Sequence, residues 1–401
     1  MDKIDVKAYG TLLSLLQSEM FGQDAEINAA DVDWTFTLTE ADRHVVTALL
    51  FPTMMRMADV PDDALGRACN AAMSTSQSLE VMLDHQRKLL DLLEQHNIPC
   101  VILKGMSVAR MYPHPELRAP GDIDILVDEE NIDEVGRLML ADGFALSHDQ
   151  EKHVCYDKGN LSVEVHRKVA RYPDNEKGHY TKEYMRSAPN RAVQATLNGV
   201  SFPVLTDVDQ LISLLLHMAE HLSDSGIGLR QLCDWAVAVH AMRGEIGEEQ
   251  LHLLDRCGLL VFAKTMTRLC EKYLGLPPVD WAADADETAT DMLISDILDG
   301  GNFRAQYNAR PLGSVLTDGY NTEDRRKASV IRSYIQFVRN RLRYERPWAK
   351  SFLWVILFGA FYPARYIVRM LLGKRRKVNV KQVIQTSRER EQMIWQLKLY
   401  K

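Results

Sequence analysis

Paired cysteines, low-complexity tracts and repeats of fixed period are all missing from this 401-residue chain. Its six cysteines (Cys69, Cys100, Cys155, Cys233, Cys257 and Cys270) include no C-x-x-C pair, so neither a zinc ribbon nor a disulfide framework is expected. They read as reduced packing residues of a cytoplasmic protein. The absence of a repeat excludes a solenoid, and the absence of biased tracts excludes a mainly disordered chain. The first residues, Met1 to Val6, lack the basic stretch and apolar run of a secretory signal, so no export is expected. Long apolar runs are scarce. The longest, residues 352–364, covers about 20 Å as a helix, short of the ~30 Å hydrocarbon core. Extending it to Gly373 takes in Pro363, Arg365 and Arg369, and two arginines at mid-bilayer cost about 5–7 kcal/mol, which argues against a full span.

What is present is an ordinary folded composition, 46% apolar and 26% charged, in a chain long enough for two or three packed units. The net charge of −7 conceals an asymmetry. Residues 325–401 hold 20 Lys and Arg against three acids, and the preceding residues hold 28 basic and 52 acidic side chains. A basic end on an acidic body points to an anionic partner for that end.

Along the chain, residues 1–97 carry apolar residues at helical spacing (Tyr9, Leu12, Leu13, Leu16; Val81, Leu89, Leu92, Leu93) and form the expected N-terminal helical region. Residues 98–205 are the expected catalytic core. Within it, 98–103 is a short apolar run that suits a buried strand, and 122–127 alternates before a helix at 132–140. Hairpins are predicted at 153–156 with 161–166, and at 192–197 with 200–205. Helices return over 206–276, at 207–222, 228–242, 247–254 and 259–274, as a substrate or cleft domain. Residues 277–324 are weakly patterned and Asp-rich and read as a linker, and 325–401 as a basic tail. The expected class is α+β: a small mixed sheet between helical regions.

In a strand, alternate side chains share a face, so Asp122 and Asp124 project together while Ile123 and Ile125 enter the core. Glu164 lies between Val163 and Val165 on a run that alternates in the same way. If the two strands lie side by side, three carboxylates converge, a set suited to Mg2+ or Mn2+ and to two-metal-ion transfer chemistry. The bland alternative is a solvent-facing strand edge. Upstream, Lys104, Gly105 and Ser107 stand where a strand ends and a helix begins, the outline of a phosphate cradle, though also that of a plain turn. Arg118 is a further candidate phosphate ligand or a surface salt-bridge partner. His217 and His221, four apart on one helical face, line the cleft, pack between helices or offer a zinc pair. Arg230 and Asp234 form a helix salt bridge or touch substrate. His166 orients Glu164, meets substrate or is structural.

These stretches, Leu103-Lys-Gly-Met-Ser-Val108, Leu117-Arg-Ala-Pro-Gly-Asp-Ile-Asp-Ile-Leu-Val127 and Val163-Glu-Val-His166, resemble an uncharacterised nucleotidyltransferase family of the polymerase-beta-like superfamily. His217, His221 and the run from Gly226 to Trp235 are similar to that family's helical half, so the resemblance covers roughly residues 70–275. It implies a minimal nucleotidyltransferase sheet backed by helices. It also implies transfer of a nucleotide from a nucleoside triphosphate to an acceptor hydroxyl with release of pyrophosphate. One departure is that Met106 separates Gly105 from Ser107, where the superfamily has adjacent small residues.

The acceptor is read as a sugar or glycan intermediate. Two other functions fit the motifs. An Asp-x-Asp glycosyltransferase would need alternating strands and helices ahead of the motif, where 1–97 reads as helical. A degenerate, membrane-tethered nucleotide-binding module would keep the fold without the chemistry. For residues 339–377 the expected partner is an anionic membrane surface at the inner face of the membrane, through interfacial aromatic residues and flanking cations. Burial against the body ranks second and nucleic acid third.

Overall fold

The computed structural model describes residues 6–23, 27–224, 226–301, 351–371 and 389–401, together with Ile335, Val338, Arg339 and Leu342. Four helices come first: α1 (Gly10–Phe21), α2 (Trp34–His44), α3 (Thr47–Arg56) and α4 (Asp62–Gln95). Asn97, at φ 55°, turns the chain out of α4 into strand β1 (Cys100–Leu103). Short helix α5 (Gly105–Ala109) and strand β2 (Ile123–Val127) follow, then α6 (Ile132–Ala141). Strands β3 (Ala145–Asp149), β4 (His153–Lys158) and β5 (Leu161–His166) form a meander. Helix α7 (Glu176–Arg186) leads to the hairpin β6 (Val193–Leu197) and β7 (Val200–Val204). Helices α8 (Asp207–Asp224), α9 (Leu229–Ala241), α10 (Glu248–Arg256), α11 (Leu260–Leu274) and α12 (Glu287–Gly300) come next, and α13 (Phe352–Leu371) lies beyond them. The class is α+β.

The seven strands form one mixed sheet in the order β3-β4-β5-β2-β1-β7-β6. Its centre explains the sequence pattern. β2 is buried along its whole length, antiparallel to β1 and parallel to β5, so its apolar residues meet partners on both sides. The parallel pairing sets Asp124 opposite Glu164.

Two apolar clusters hold the molecule. One joins the sheet to α6 and the second half of α4, around Ile125, Val165, Val135 and Leu93. The other joins α1 to α3 with α8, α9, α11 and α12, so the N-terminal helices and the helices after residue 206 share a single core. Residues expected as a linker belong to it. α12 buries Leu293, Ile294, Ile297 and Leu298, spaced as one helical stripe, and Asp286 caps it through Ala289 N at 3.0 Å. Its acidic composition masked that stripe in the sequence.

The last residues also return to this core. Met393, Ile394 and Leu397 are buried in it, and Arg390 pairs with Asp296 at 2.9 Å while donating to the Leu222 carbonyl at 2.7 Å. Tyr400 N donates to the Gly258 carbonyl at 2.8 Å, and a Cβ on Gly258 would stand 2.6 Å from Tyr400 Cα, so only glycine permits this docking. The end of the basic segment is therefore anchored to the body. Residues 302–334 and most of the cationic stretches of 339–377 lie outside the described residues.

Candidate functional site

The β2–β5 register and the helices laid over it build one cavity of about 270 Å³. Asp122, Asp124 and Glu164 line it from the sheet, with Lys104, Gly105, Arg118 and Gly121 from the loops before β2. His217 and His221 reach it from α8, Arg230 and Asp234 from α9, and Lys152 and His153 from the start of β4. Among the lining residues there is no Phe, Tyr or Trp.

The entry to α5 shapes the rim. Lys104 has φ 44° and ψ −147°, a backbone conformation that L residues rarely adopt, and Gly105 follows at φ 43°. This turn aims the lysine inward: its Nζ stands 2.9 Å from Asp124 Oδ1 and 3.5 Å from His217 Nδ1. Ser107, expected in a phosphate cradle, points elsewhere. It is fully buried, and its hydroxyl donates to the Lys104 carbonyl at 2.7 Å, with the Gln210 side-chain amide 3.1 Å away. It braces the turn and does not line the cavity.

The carboxylates differ in how they are answered. Asp124 is buried, and His166 Nε2 lies 2.9 Å from the same oxygen that Lys104 meets. Burial would raise its pKa, but Lys104 and His166 hold it well below the usual carboxylate range. Glu164 is likewise pushed up by burial and brought below its ordinary value by His166, whose Nε2 is 3.1 Å from Oε2. Asp122 goes the other way: burial, then the charges of Asp124 and Glu164, raise it to about 6. Lys104 is raised, because the two carboxylates outweigh the burial that would lower it. His166 itself is fully buried behind the carboxylates, Nε2 bridging Asp124 and Glu164 and Nδ1 3.2 Å from the Lys168 carbonyl. It positions both acids and does not line the cavity.

On the helical side the pairing departs from the sequence reading. Asp234 is met by Arg118, 116 residues earlier, in a buried bidentate pair at 2.9 and 2.8 Å, with Tyr112 donating at 2.7 Å. Its oxygens are thus engaged across the fold instead of by Arg230, one turn back on α9. Arg118 is accordingly no surface salt-bridge residue. Arg230 reaches the loop before β2, donating to the Ala119 carbonyl at 3.3 Å. The α8 histidines stack edge to face, ring centroids 4.2 Å apart. Burial first, then Lys104, lowers both, His221 to about 4 and His217 well below its ordinary value, so both are neutral near pH 7.

Sequence reasoning missed Lys152, His153, Gln231, Leu214 and Met218 on the cavity wall. Lys152 pairs with Glu220 at 3.1 Å, and Glu220 also accepts from Arg171 at 2.6 Å. No local pattern marks these residues, since they meet only where the β3–β5 meander, α8 and α9 come together.

Asp122, Asp124 and Glu164 bring hard oxygen donors to one cavity, and the repulsion of Asp124 and Glu164 that raises Asp122 is one a divalent cation would relieve, so their chemistry suits one. Known proteins bear on what such a cavity does. Comparison with curated proteins gives no match. A solution structure of the antibiotic-resistance factor ANT(2'')-Ia is similar over 44% of this chain and 89% of that one, at 14% identity and a TM-score of 0.33. A family model described as an uncharacterised nucleotidyltransferase matches residues 30–275, a span holding the whole seven-stranded sheet and every cavity residue from Lys104 to Asp234. With more than half of its length inside that match, the chain belongs to this uncharacterised nucleotidyltransferase family.

Proposed function

We propose that the protein transfers a nucleotide from a nucleoside triphosphate to an acceptor hydroxyl, with release of pyrophosphate, at the cavity of Asp122, Asp124 and Glu164. The observation that carries this reading is the parallel β2–β5 register. It sets Asp124 beside Glu164, with Asp122 one strand-step away, in a cavity that also holds Lys104, Lys152, Arg118 and Arg230. Mg2+ or Mn2+ held by the three carboxylates would neutralise the triphosphate and activate the attacking hydroxyl. Asp122 and Asp124 hold the nucleotide side, and Glu164 serves the acceptor side as ligand or base. Lys104 and Arg230 receive phosphate oxygens, while Arg118, fixed by Asp234, keeps the loop before β2 in place. A sugar or glycan hydroxyl is the acceptor class proposed, because the walls offer hydrogen-bonding groups and no aromatic platform.

Among the described residues, those from Val6 to Gln95 form helices and no strand, whereas a glycosyltransferase would need strands alternating with helices ahead of the motif, and this favours the nucleotidyltransferase reading. The test is incubation with each labelled nucleoside triphosphate, magnesium and cell extract. Label in a sugar-containing product, with pyrophosphate released, supports the reading. Hydrolysis or no turnover with every nucleotide counts against it.

An anionic membrane surface is proposed as a second partner, through α13. No helix among the described residues is long and apolar enough to cross a membrane. α13 instead buries Val355 and Phe358 against Val338 and Leu342 and leaves Leu353, Ile356, Leu357 and Phe361 exposed along one side. Lys374, Arg375, Arg376 and Lys377 follow in sequence, and together these supply the apolar and cationic parts of interfacial binding.

A further inference from the structure

The row of carboxylates across the sheet does not stop at Glu164. In the β4–β5 register Cys155 stands opposite Glu164, and in the β3–β4 register His148 stands opposite Cys155. Directly opposed residues share a face with Cβ atoms about 5 Å apart, so four strands present His148, Cys155, Glu164 and Asp124 in one line. His153, two residues before Cys155, joins the line from the same side of β4: its ring centroid is 5.8 Å from that of His148. The ligand atoms of His148, His153 and Cys155 lie within 4.8 Å of one another. Glu164 closes the group, with Oε1 3.8 Å from Cys155 Sγ and Oε2 3.5 Å from His153 Nδ1.

A second observation singles out this cluster. His153 is buried, yet among the described residues its Nδ1 makes no hydrogen bond, Glu164 Oε2 at 3.5 Å standing outside hydrogen-bond geometry, a costly arrangement unless something draws the two together. The transfer reaction as proposed uses neither His148 nor Cys155.

We propose that His148, His153 and Cys155, with Glu164 as fourth ligand, form a binding site for a borderline transition-metal cation, zinc foremost, beside the hard-cation centre. Two imidazoles, one thiolate and one carboxylate are the donors of a four-coordinate zinc site, and the thiolate and imidazoles discriminate against Mg2+. Binding releases the thiol proton to solvent and leaves the metal's oxidation state unchanged. The site is reachable, because β3 is the edge strand of the sheet and its His148 is exposed. Zinc there would tie β3, β4 and β5 together and fix Glu164 from the side opposite Asp124.

The test uses the full chain, reduced, with Co2+ as a spectroscopic substitute for zinc. The expected result is tetrahedral Co2+ absorption with a thiolate-to-cobalt charge-transfer band. The band should vanish in Cys155→Ser, and Co2+ should bind on the order of tenfold or more weakly to His148→Ala. Because His148 is exposed, that variant reports on the site even if Cys155→Ser does not fold. Absence of the charge-transfer band in the natural chain, or undiminished Co2+ affinity in His148→Ala, overturns the proposal.

Discussion

The cavity beneath α8 and α9 and the surface of α13 handle burial in opposite ways. In and beside the cavity, several charged groups are taken out of water and each is answered by a partner: Asp124 by Lys104 and His166, Asp234 by Arg118 and Tyr112, Glu220 by Lys152 and Arg171. On α13, the apolar side chains of Leu353, Ile356 and Leu357 are left exposed to water, Leu353 being 76% exposed. A group already answered is preorganised for chemistry, whereas an exposed apolar stripe flanked by cations is suited to a surface that supplies what it lacks.

The strongest way to break the comparison is to remove one answer inside the cavity. Asp124→Asn keeps the side chain's volume but withdraws the charge facing Lys104, so transfer should fall on the order of 10³-fold or more. The sequence alone implies an unchanged fold for this variant. The buried pair with Lys104 implies a loss of stability as well, so activity is to be measured at a temperature where circular dichroism shows the variant folded.

Asp234→Asn separates framework from chemistry. It leaves Arg118 buried without its partner and should cost about 3–5 kcal/mol in urea denaturation, while Arg118→Ala with Asp234→Asn together should cost less than the sum. An additive result would mean the bidentate pair does not act as a unit.

A buried acid away from the cavity gives a pH test. Glu19 on α1 is raised to about 7, chiefly by burial, with His114 and Arg56 only partly offsetting it. The folded state therefore holds this proton more tightly than the unfolded chain. Stability should fall as pH rises from about 4.5 to 7 and level off above, by up to about 3 kcal/mol. Glu19→Gln should remove this contribution, as thermal melts at pH 5 and pH 8 would show.

The smallest effect is expected at α13. Leu357→Asp should weaken binding to anionic vesicles by about tenfold, since burying a leucine is worth about 1.5–3 kcal/mol, and high salt should remove only part of the binding of the natural chain. Point variants are the right tool. Deleting the segment through Lys401 would also remove Met393, Ile394 and Leu397 from the main core. Equal binding by Leu357→Asp would count against the membrane.

How much of this was legible in the sequence follows from range. Alternation revealed β2 and β5 and hence the facing of Asp122, Asp124 and Glu164, because the side-chain period of a strand is local. The partner of Asp234 was not legible: Arg118 lies 116 residues away, and helical spacing favoured Arg230. Nor was β3, whose five residues are all exposed and show no apolar alternation. The continuation of the ligand row to Cys155 and His148 depends on that strand's register and emerges only with the sheet.

The central claim, that Asp122, Asp124 and Glu164 form one cation-dependent nucleotide centre, is tested most directly by calorimetric titration of nucleoside triphosphates with and without Mg2+. The account predicts binding of at least one nucleotide that requires the cation and is lost in Asp124→Asn. Binding of equal strength without Mg2+, or unchanged in Asp124→Asn, would contradict it.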